Sequence, residues 1–177
     1  MNFPILSSIT FIPLIGAFFV FLTKEEKNEI NKGAIYVSLF TSFVNFFLTL
    51  FLWYSFDKTT ADFQFVEEFF WISNFIKFKF GIDGVSILFI LLTAFITPIA
   101  VVSCVNSIKV RLKEFLIAIL ILETFMIGVF CSLDLVIFYL FFEAGLIPMF
   151  LIIGIWGGSR RIYSAFKFFL FTLLGSV

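Results

Sequence analysis

Two glutamates lie inside long apolar runs, where an ionisable side chain could bind a proton or a cation. Glu123 and Glu143 stand near the middle of stretches made almost entirely of apolar and small residues. A charged side chain at the centre of a bilayer costs roughly 2.5–3.5 kcal/mol on insertion scales, so it usually faces protein or water and has a function. Each glutamate is therefore a candidate for binding a proton or a small cation. A protonated, purely structural role is the alternative for both.

Glu143 has neighbours that strengthen this interpretation. Gly145 and Pro148 follow it closely. Pro148 cannot donate a hydrogen bond to the carbonyl of Ala144, which predicts a helix kink beside the glutamate. Freed backbone at membrane depth is tolerated where it meets protein or water. The combination predicts a site for a proton or small cation.

Lys167 is the third candidate, because it lies inside the last apolar run. The alternative is that its side chain extends back to the membrane surface beside Arg160 and Arg161. A direct ion pair with Glu143 is not expected, because the two residues lie at different depths. Lys167 is about 8 Å and Glu143 about 20 Å from the inner end of its helix. Asp134, in a short turn, is expected to be a solvated turn residue or a helix N-cap.

The composition excludes several classes of function. The chain has 177 residues, of which 62% are hydrophobic and 14% charged, as expected of a membrane protein rather than a soluble domain. Its net charge is zero, so nothing attracts nucleic acid. There is no His, which argues against haem, catalytic zinc and a His-dependent triad. Two Cys cannot hold an iron–sulfur cluster. We expect no cofactor and no metal.

Six apolar runs predict a helical bundle, because about 20 residues are needed to cross the bilayer. They are residues 3–22, 34–56, 85–105, 115–132, 135–156 and 162–177. The last run is short for a span and still apolar where the sequence stops. We expect the chain to be a fragment of a longer protein; a genuine short sixth helix is the alternative.

Basic residues predict the orientation of the bundle. The first, third and fifth connections carry nine, counting Lys167 just beyond the fifth: Lys24, Lys27, Lys32, Lys109, Arg111, Lys113, Arg160, Arg161 and Lys167. The second and fourth carry three: Lys58, Lys77 and Lys79. The positive-inside rule places the richer set in the cytoplasm and the N-terminus outside. Cys104 and Cys131 then lie at opposite membrane faces, too far apart for a disulfide.

The second connection, residues 57–84, is the only long one. Residues 63–65 and 76–80 alternate apolar and polar side chains, as half-buried strands do. This pattern favours an external hairpin with an aromatic edge at the lipid headgroups. An irregular interfacial loop is the alternative.

Several segments carry a family resemblance. Residues 141–150 read FFEAGLIPMF and residues 155–158 read IWGG, and supporting stretches are GIDGVS at 81–86, LTAFITP at 92–98 and AFKFFLFTLLGS at 165–176. Together they closely resemble the antiporter-like subunit M family of proton-pumping NADH:quinone oxidoreductase, respiratory complex I, whose mitochondrial form is subunit 4. The resemblance extends from about residue 81 to residue 177, with a compatible order of spans before it.

The resemblance implies a fold of fourteen helices with two inverted five-helix repeats. Residues 1–112 would form helices 1–3 with the external loop 57–84, and residues 113–177 would begin the antiporter-like domain with helices 4–6. Glu143 would be the essential carboxylate of a proton channel. Its partner in the family is a lysine on a broken seventh helix, which would follow Val177.

The implied function is proton translocation coupled to electron transfer, along a pathway containing Glu143 and the further candidates Glu123 and Lys167. The subunit would do no redox chemistry, since NADH, flavin, iron–sulfur clusters and quinone belong to other subunits. Its partners would be the other complex I membrane subunits and the lipid of a bacterial inner (plasma) membrane, or alternatively a mitochondrial inner membrane. Two other interpretations stay open. One is a subunit of a multi-subunit sodium/proton antiporter or membrane-bound hydrogenase, and the other is a non-conducting scaffold.

Overall fold

The structure of the protein, a computed structural model, describes residues 4–24, 31–73, 76–108 and 110–177. Its elements in chain order are α1 (Ile5–Leu22), α2 (Lys32–Tyr54), β1 (Gln64–Ser73), β2 (Ile76–Ile82), α3 (Ser86–Ser107), α4 (Leu112–Cys131), α5 (Leu135–Trp156) and α6 (Arg161–Ser176). The first five helices are long and apolar enough to cross a membrane. The predicted all-α membrane fold is therefore confirmed, and α5 has the bounds that the sequence predicts.

The helices form a bundle with α4 at its centre, in contact with α1, α2, α3 and α5, while α6 packs on α5. At one end, Lys113 Nζ donates to the carbonyl of Thr23 at 2.7 Å, and Trp156 Nε1 donates to the carbonyl of Val110 at 2.8 Å. These bonds bring the first, third and fifth connections together, as the alternation of spans predicts. That this end faces the cytoplasm stays a prediction. Two of its nine basic residues lie outside the described residues: Lys27 and Lys109.

The second connection forms the predicted hairpin, with β1 and β2 antiparallel. It lies against the opposite end of the bundle. The backbone N–H of Leu133 donates to the carbonyl of Lys79 at 3.0 Å, and Phe80 is fully buried. Glu67 on β1 accepts hydrogen bonds from the backbone N–H groups of Leu6 and Ser7 at 2.8 and 3.0 Å. Since these groups begin α1 and have no partner within the helix, the hairpin caps that helix.

The core consists of two apolar clusters. The cluster at the hairpin end contains Cys131, and the cluster at the other end contains Cys104. Both cysteines are buried and free, in agreement with their predicted separation. Buried polar residues lie between the clusters along α1 to α4: Thr10, Thr41, Ser42, Asn45, Thr97, Glu123 and Thr124.

Candidate functional site

Glu143 is the ninth residue of α5, which begins at an Asp134 cap. Asp134 Oδ1 accepts from the backbone N–H groups of Val136 and Ile137 at 2.8 and 3.3 Å, so the N-cap interpretation of this residue is confirmed. The helix then runs through Pro148 to Trp156 without interruption. Pro148 therefore lies inside a continuous helix, because losing one N–H donor removes a single backbone hydrogen bond, which a transmembrane helix tolerates. The predicted kink beside Glu143 stays a prediction.

Close packing against α4 fixes the rotation of α5. Phe141 is buried against Gly128, where a Cβ atom would lie 2.5 Å from the Phe141 ring, and Gly145 packs beside Phe125. Successive residues of an α-helix are about 100° apart, so Glu143 lies about 200° around the helix from Phe141. Its side chain consequently points away from α4 and towards α6.

The partner of Glu143 is the hydroxyl group of Ser176, near the end of α6. Ser176 Oγ donates to Glu143 Oε1 and also lies 2.9 Å from the carbonyl of Leu173. A serine hydroxyl has one proton and can also accept a hydrogen bond. It can therefore donate to an ionised Glu143, or accept from a protonated one while donating to Leu173. Glu143 itself is only partly buried.

Glu123 occupies a different environment. Its side chain is buried, with 2% exposure, and its Oε1 accepts a 2.8 Å hydrogen bond from Asn45 Nδ2 of α2. Glu123 and Glu143 each lie about 12 Å from the hairpin-side end of their helices. They share a depth but face different neighbours, α2 and α6 respectively.

Lys167 lies in the first half of α6 and is exposed. Its Nζ is 5.9 Å from the centroid of the Tyr163 ring. The residue lines an open groove of about 640 Å³ along this helix, with Arg160, Tyr163, Ser164, Phe168, Phe171 and Thr172. Across the part of the chain that the structure describes, no hydrogen bond or ion pair joins Glu123, Glu143 and Lys167 to one another.

Sequence reasoning identified the two carboxylates but missed both of their partners. Ser176 lies within a segment that carries the family resemblance, yet nothing local marks its hydroxyl group as different from other helical serines. Asn45 is the one amide side chain in a span whose other polar residues are mainly Ser and Thr, and that signal was available. Its partner is 78 residues away, so the pair itself could not be read from local spacing.

Comparison with known proteins decides the relationship of the chain. The transmembrane family of NADH:quinone oxidoreductase and Mrp antiporter subunits matches residues 132–177. NADH-quinone oxidoreductase subunit M of Rhodobacter capsulatus is 51% identical over 98% of this chain and 34% of its own length. NADH-ubiquinone oxidoreductase chain 4 of Marchantia polymorpha is 46% identical over 97% of this chain and 34% of its own length. Over almost its whole length, the chain is therefore similar to subunit M and chain 4 of this enzyme.

A solved structure agrees with this relationship. A chain of respiratory complex I from Thermus thermophilus with bound NADH superposes with a TM-score of 0.79 and 26% identity, covering 97% of this chain and 33% of that chain. The chain therefore spans about a third of the length of the relatives it matches. Its apolar helices and its bacterial and mitochondrial-type relatives make it a multi-pass protein of an inner membrane.

Proposed function

We propose that the chain is part of a proton-translocating membrane subunit of NADH:quinone oxidoreductase. The names of its relatives and the family match at residues 132–177 support this assignment. In this proposal NADH and quinone bind to other subunits, and the chain contacts the other membrane subunits and lipid. It contributes to proton movement coupled to their electron transfer, without redox chemistry of its own.

The observation that carries the proposal is the Glu143–Ser176 hydrogen bond at the α5–α6 interface. A carboxyl group at this depth can bind and release one proton. The Ser176 hydroxyl can donate a hydrogen bond to the ionised carboxylate and accept one from the protonated carboxyl group. Glu143 therefore keeps a hydrogen-bond partner in both protonation states. Glu143 is only partly buried within these residues. A cation that approached would favour release of the proton.

The other two candidates have separate parts in the proposal. Lys167 lines an open groove in the half of α6 that lies near Arg160. In the proposal, its amino group is part of the proton pathway on that side of the bundle. Glu123 is a second protonatable group at the depth of Glu143, on the α2 side of α4. We further propose that residues 1–112 form the N-terminal transmembrane helices 1–3 with the external loop 57–84, and that residues 113–177 begin the antiporter-like, proton-translocating domain.

The proposal is tested in the full-length protein within the assembled complex. Glu143→Gln keeps the size of the side chain but cannot ionise, so NADH-driven proton uptake into membrane vesicles should be largely lost. Glu143→Asp keeps an ionisable group and should retain part of the activity. Glu114→Gln is the matched control, because Glu114 is an exposed glutamate at the start of α4, 4.0 Å from Arg111.

The alternatives give different results. A non-conducting scaffold predicts that an assembled Glu143→Gln complex pumps normally. A sodium/proton antiporter or hydrogenase subunit predicts that the gene lies among antiporter or hydrogenase genes rather than among those of complex I.

A further inference from the structure

Asn45 and Glu123 form a polar pair in the middle of the bundle. Asn45 is fully buried and Glu123 is 2% exposed, and the Asn45 amide donates to Glu123 Oε1 at 2.8 Å. The pair joins α2 to α4 between the two apolar clusters of the core. On α4, Glu123 faces α2, whereas Gly128 packs against Phe141 of α5.

Two atoms of this pair are left without partners. Asn45 Oδ1 and Glu123 Oε2 are both buried, and neither has a hydrogen-bond donor. Both atoms are acceptors when Glu123 is ionised. An unsatisfied buried polar group costs roughly 1–3 kcal/mol, and more if it is charged. The ionised pair would therefore leave two acceptors unsatisfied, one of them carrying charge.

The surrounding side chains do not supply the missing donor. The described buried hydroxyl groups donate their single protons to backbone carbonyls in their own helices: Thr10 to Leu6, Ser38 to Ala34, Thr41 to Val37, Ser42 to Ser38, Thr49 to Phe46, Thr97 to Thr93 and Thr124 to Leu120. Among the described buried polar side chains there is no Lys or Arg, so no cation balances a carboxylate here.

One proton satisfies both atoms at once. We propose that Glu123 and Asn45 form a closed acid–amide pair that binds a single proton inside the bundle. In this pair Oε2–H of Glu123 donates to Asn45 Oδ1, while the Asn45 amide donates to Glu123 Oε1. The two hydrogen bonds close an eight-membered ring, and the neutral pair holds α2 against α4. This inference does not depend on whether Glu143 conducts protons.

Infrared difference spectroscopy of the full-length protein in the assembled complex tests the pair. At neutral pH exposed glutamates are ionised, whereas Glu123 should give a protonated-carboxyl carbonyl band that disappears in Glu123→Gln. The Gln side chain can make the same two hydrogen bonds, so thermal stability should be unchanged, whereas Glu123→Leu should lower it. Asn45→Ala should keep the band but move it to higher wavenumber, because the Glu123 carbonyl loses its donor.

Three results would overturn the proposal. One is an identical carboxyl spectrum in the wild type and in Glu123→Gln, and another is a band that Asn45→Ala leaves at the wild-type wavenumber. The third is thermal stability that rises with sodium concentration in the wild type but not in Glu123→Gln, which would mean that the pair binds a cation instead of a proton.

Discussion

The hydroxyl group of Ser176 has one proton and two acceptors within reach, Glu143 Oε1 and the carbonyl of Leu173. A hydrogen bond to a charged group contributes roughly 1.5–3 kcal/mol. We therefore expect Ser176→Ala to slow NADH-driven proton pumping by about tenfold, and Ser176→Thr to restore most of it. The measurement is proton uptake in vesicles that contain assembled complex.

Thr172→Ala is the matched control for that substitution. Thr172 lies one turn earlier in α6, and its hydroxyl donates to the carbonyl of Phe168 at 2.9 Å. Its removal should leave pumping unchanged. Equal losses in Ser176→Ala and Thr172→Ala would show that the helix, rather than the Glu143 contact, is sensitive to losing a hydroxyl group.

At the residue scale, the sequence was sufficient to find the carboxylates and insufficient to find their surroundings. A glutamate in an apolar run is costly wherever it points, so Glu123 and Glu143 stand out without a structure. Ser176 and Asn45 become informative only through contacts across 33 and 78 residues of chain. The same is true of Glu67, whose bonds to α1 span about 60 residues.

At the scale of elements, the start of α3 depends on the protonation of Asp83. Its Oδ1 accepts from the backbone N–H groups of Ser86 and Val85 at 2.7 and 3.2 Å. The hydrogen bonds from Ser86, first from its backbone and then from its side chain, lower the pKa of Asp83. The stabilisation is therefore complete above the pKa of the unfolded chain and is lost as the pH falls through the lower folded value.

We expect Asp83→Ala to reduce the free energy of unfolding by about 1 kcal/mol at neutral pH, the usual cost of losing a helix cap. The difference from the wild type should shrink as the pH falls below the ordinary carboxyl range. Denaturant titrations in detergent at neutral and acidic pH measure this. Asp62→Ala, at an exposed position before β1, is the control; a difference for Asp83→Ala that persists unchanged in acid would contradict the assignment.

The contact between α4 and α5 depends on the absence of a side chain at Gly128. An added Cβ would lie 2.5 Å from the Phe141 ring, so Gly128→Ala forces the helices apart. Such overpacking typically costs about 1–3 kcal/mol, and the added Phe141→Leu should recover part of it. Gly84→Ala is the control, since nothing lies within 4 Å of its added Cβ. Equal thermal stability of the Gly128 and Gly84 variants in detergent would contradict this packing.

The elements themselves were largely predictable because apolar length identifies a membrane helix with little help from tertiary contacts. The alternating pattern of residues 76–80 likewise indicated β2. The kink at Pro148 stays a prediction. The proline lies inside a continuous helix, since α5 runs through it to Trp156.

At the scale of the whole molecule, the bundle has two different ends. The first, third and fifth connections lie at one end, where Lys113 bonds to Thr23, and the hairpin covers the other end. We expect the Lys113 end to be cytoplasmic, because the basic residues concentrate there. Single cysteines at Ser159 and Thr60, in a variant with Cys104 and Cys131 replaced by Ala, should react oppositely with a membrane-impermeant thiol reagent. Both positions are exposed. Labelling of Ser159→Cys from outside intact cells would reverse the orientation.

The central claim is that Glu143 carries protons while electrons flow in other subunits. It is tested most directly by the number of protons taken up per NADH oxidised, measured in vesicles with assembled wild-type, Glu143→Gln and Glu114→Gln complexes. Expressing uptake per NADH separates a loss of coupling from a loss of complex. We predict a wild-type ratio for Glu114→Gln and a clearly lower ratio, with slowed NADH oxidation, for Glu143→Gln. A wild-type ratio and rate in a fully assembled Glu143→Gln complex would contradict the account.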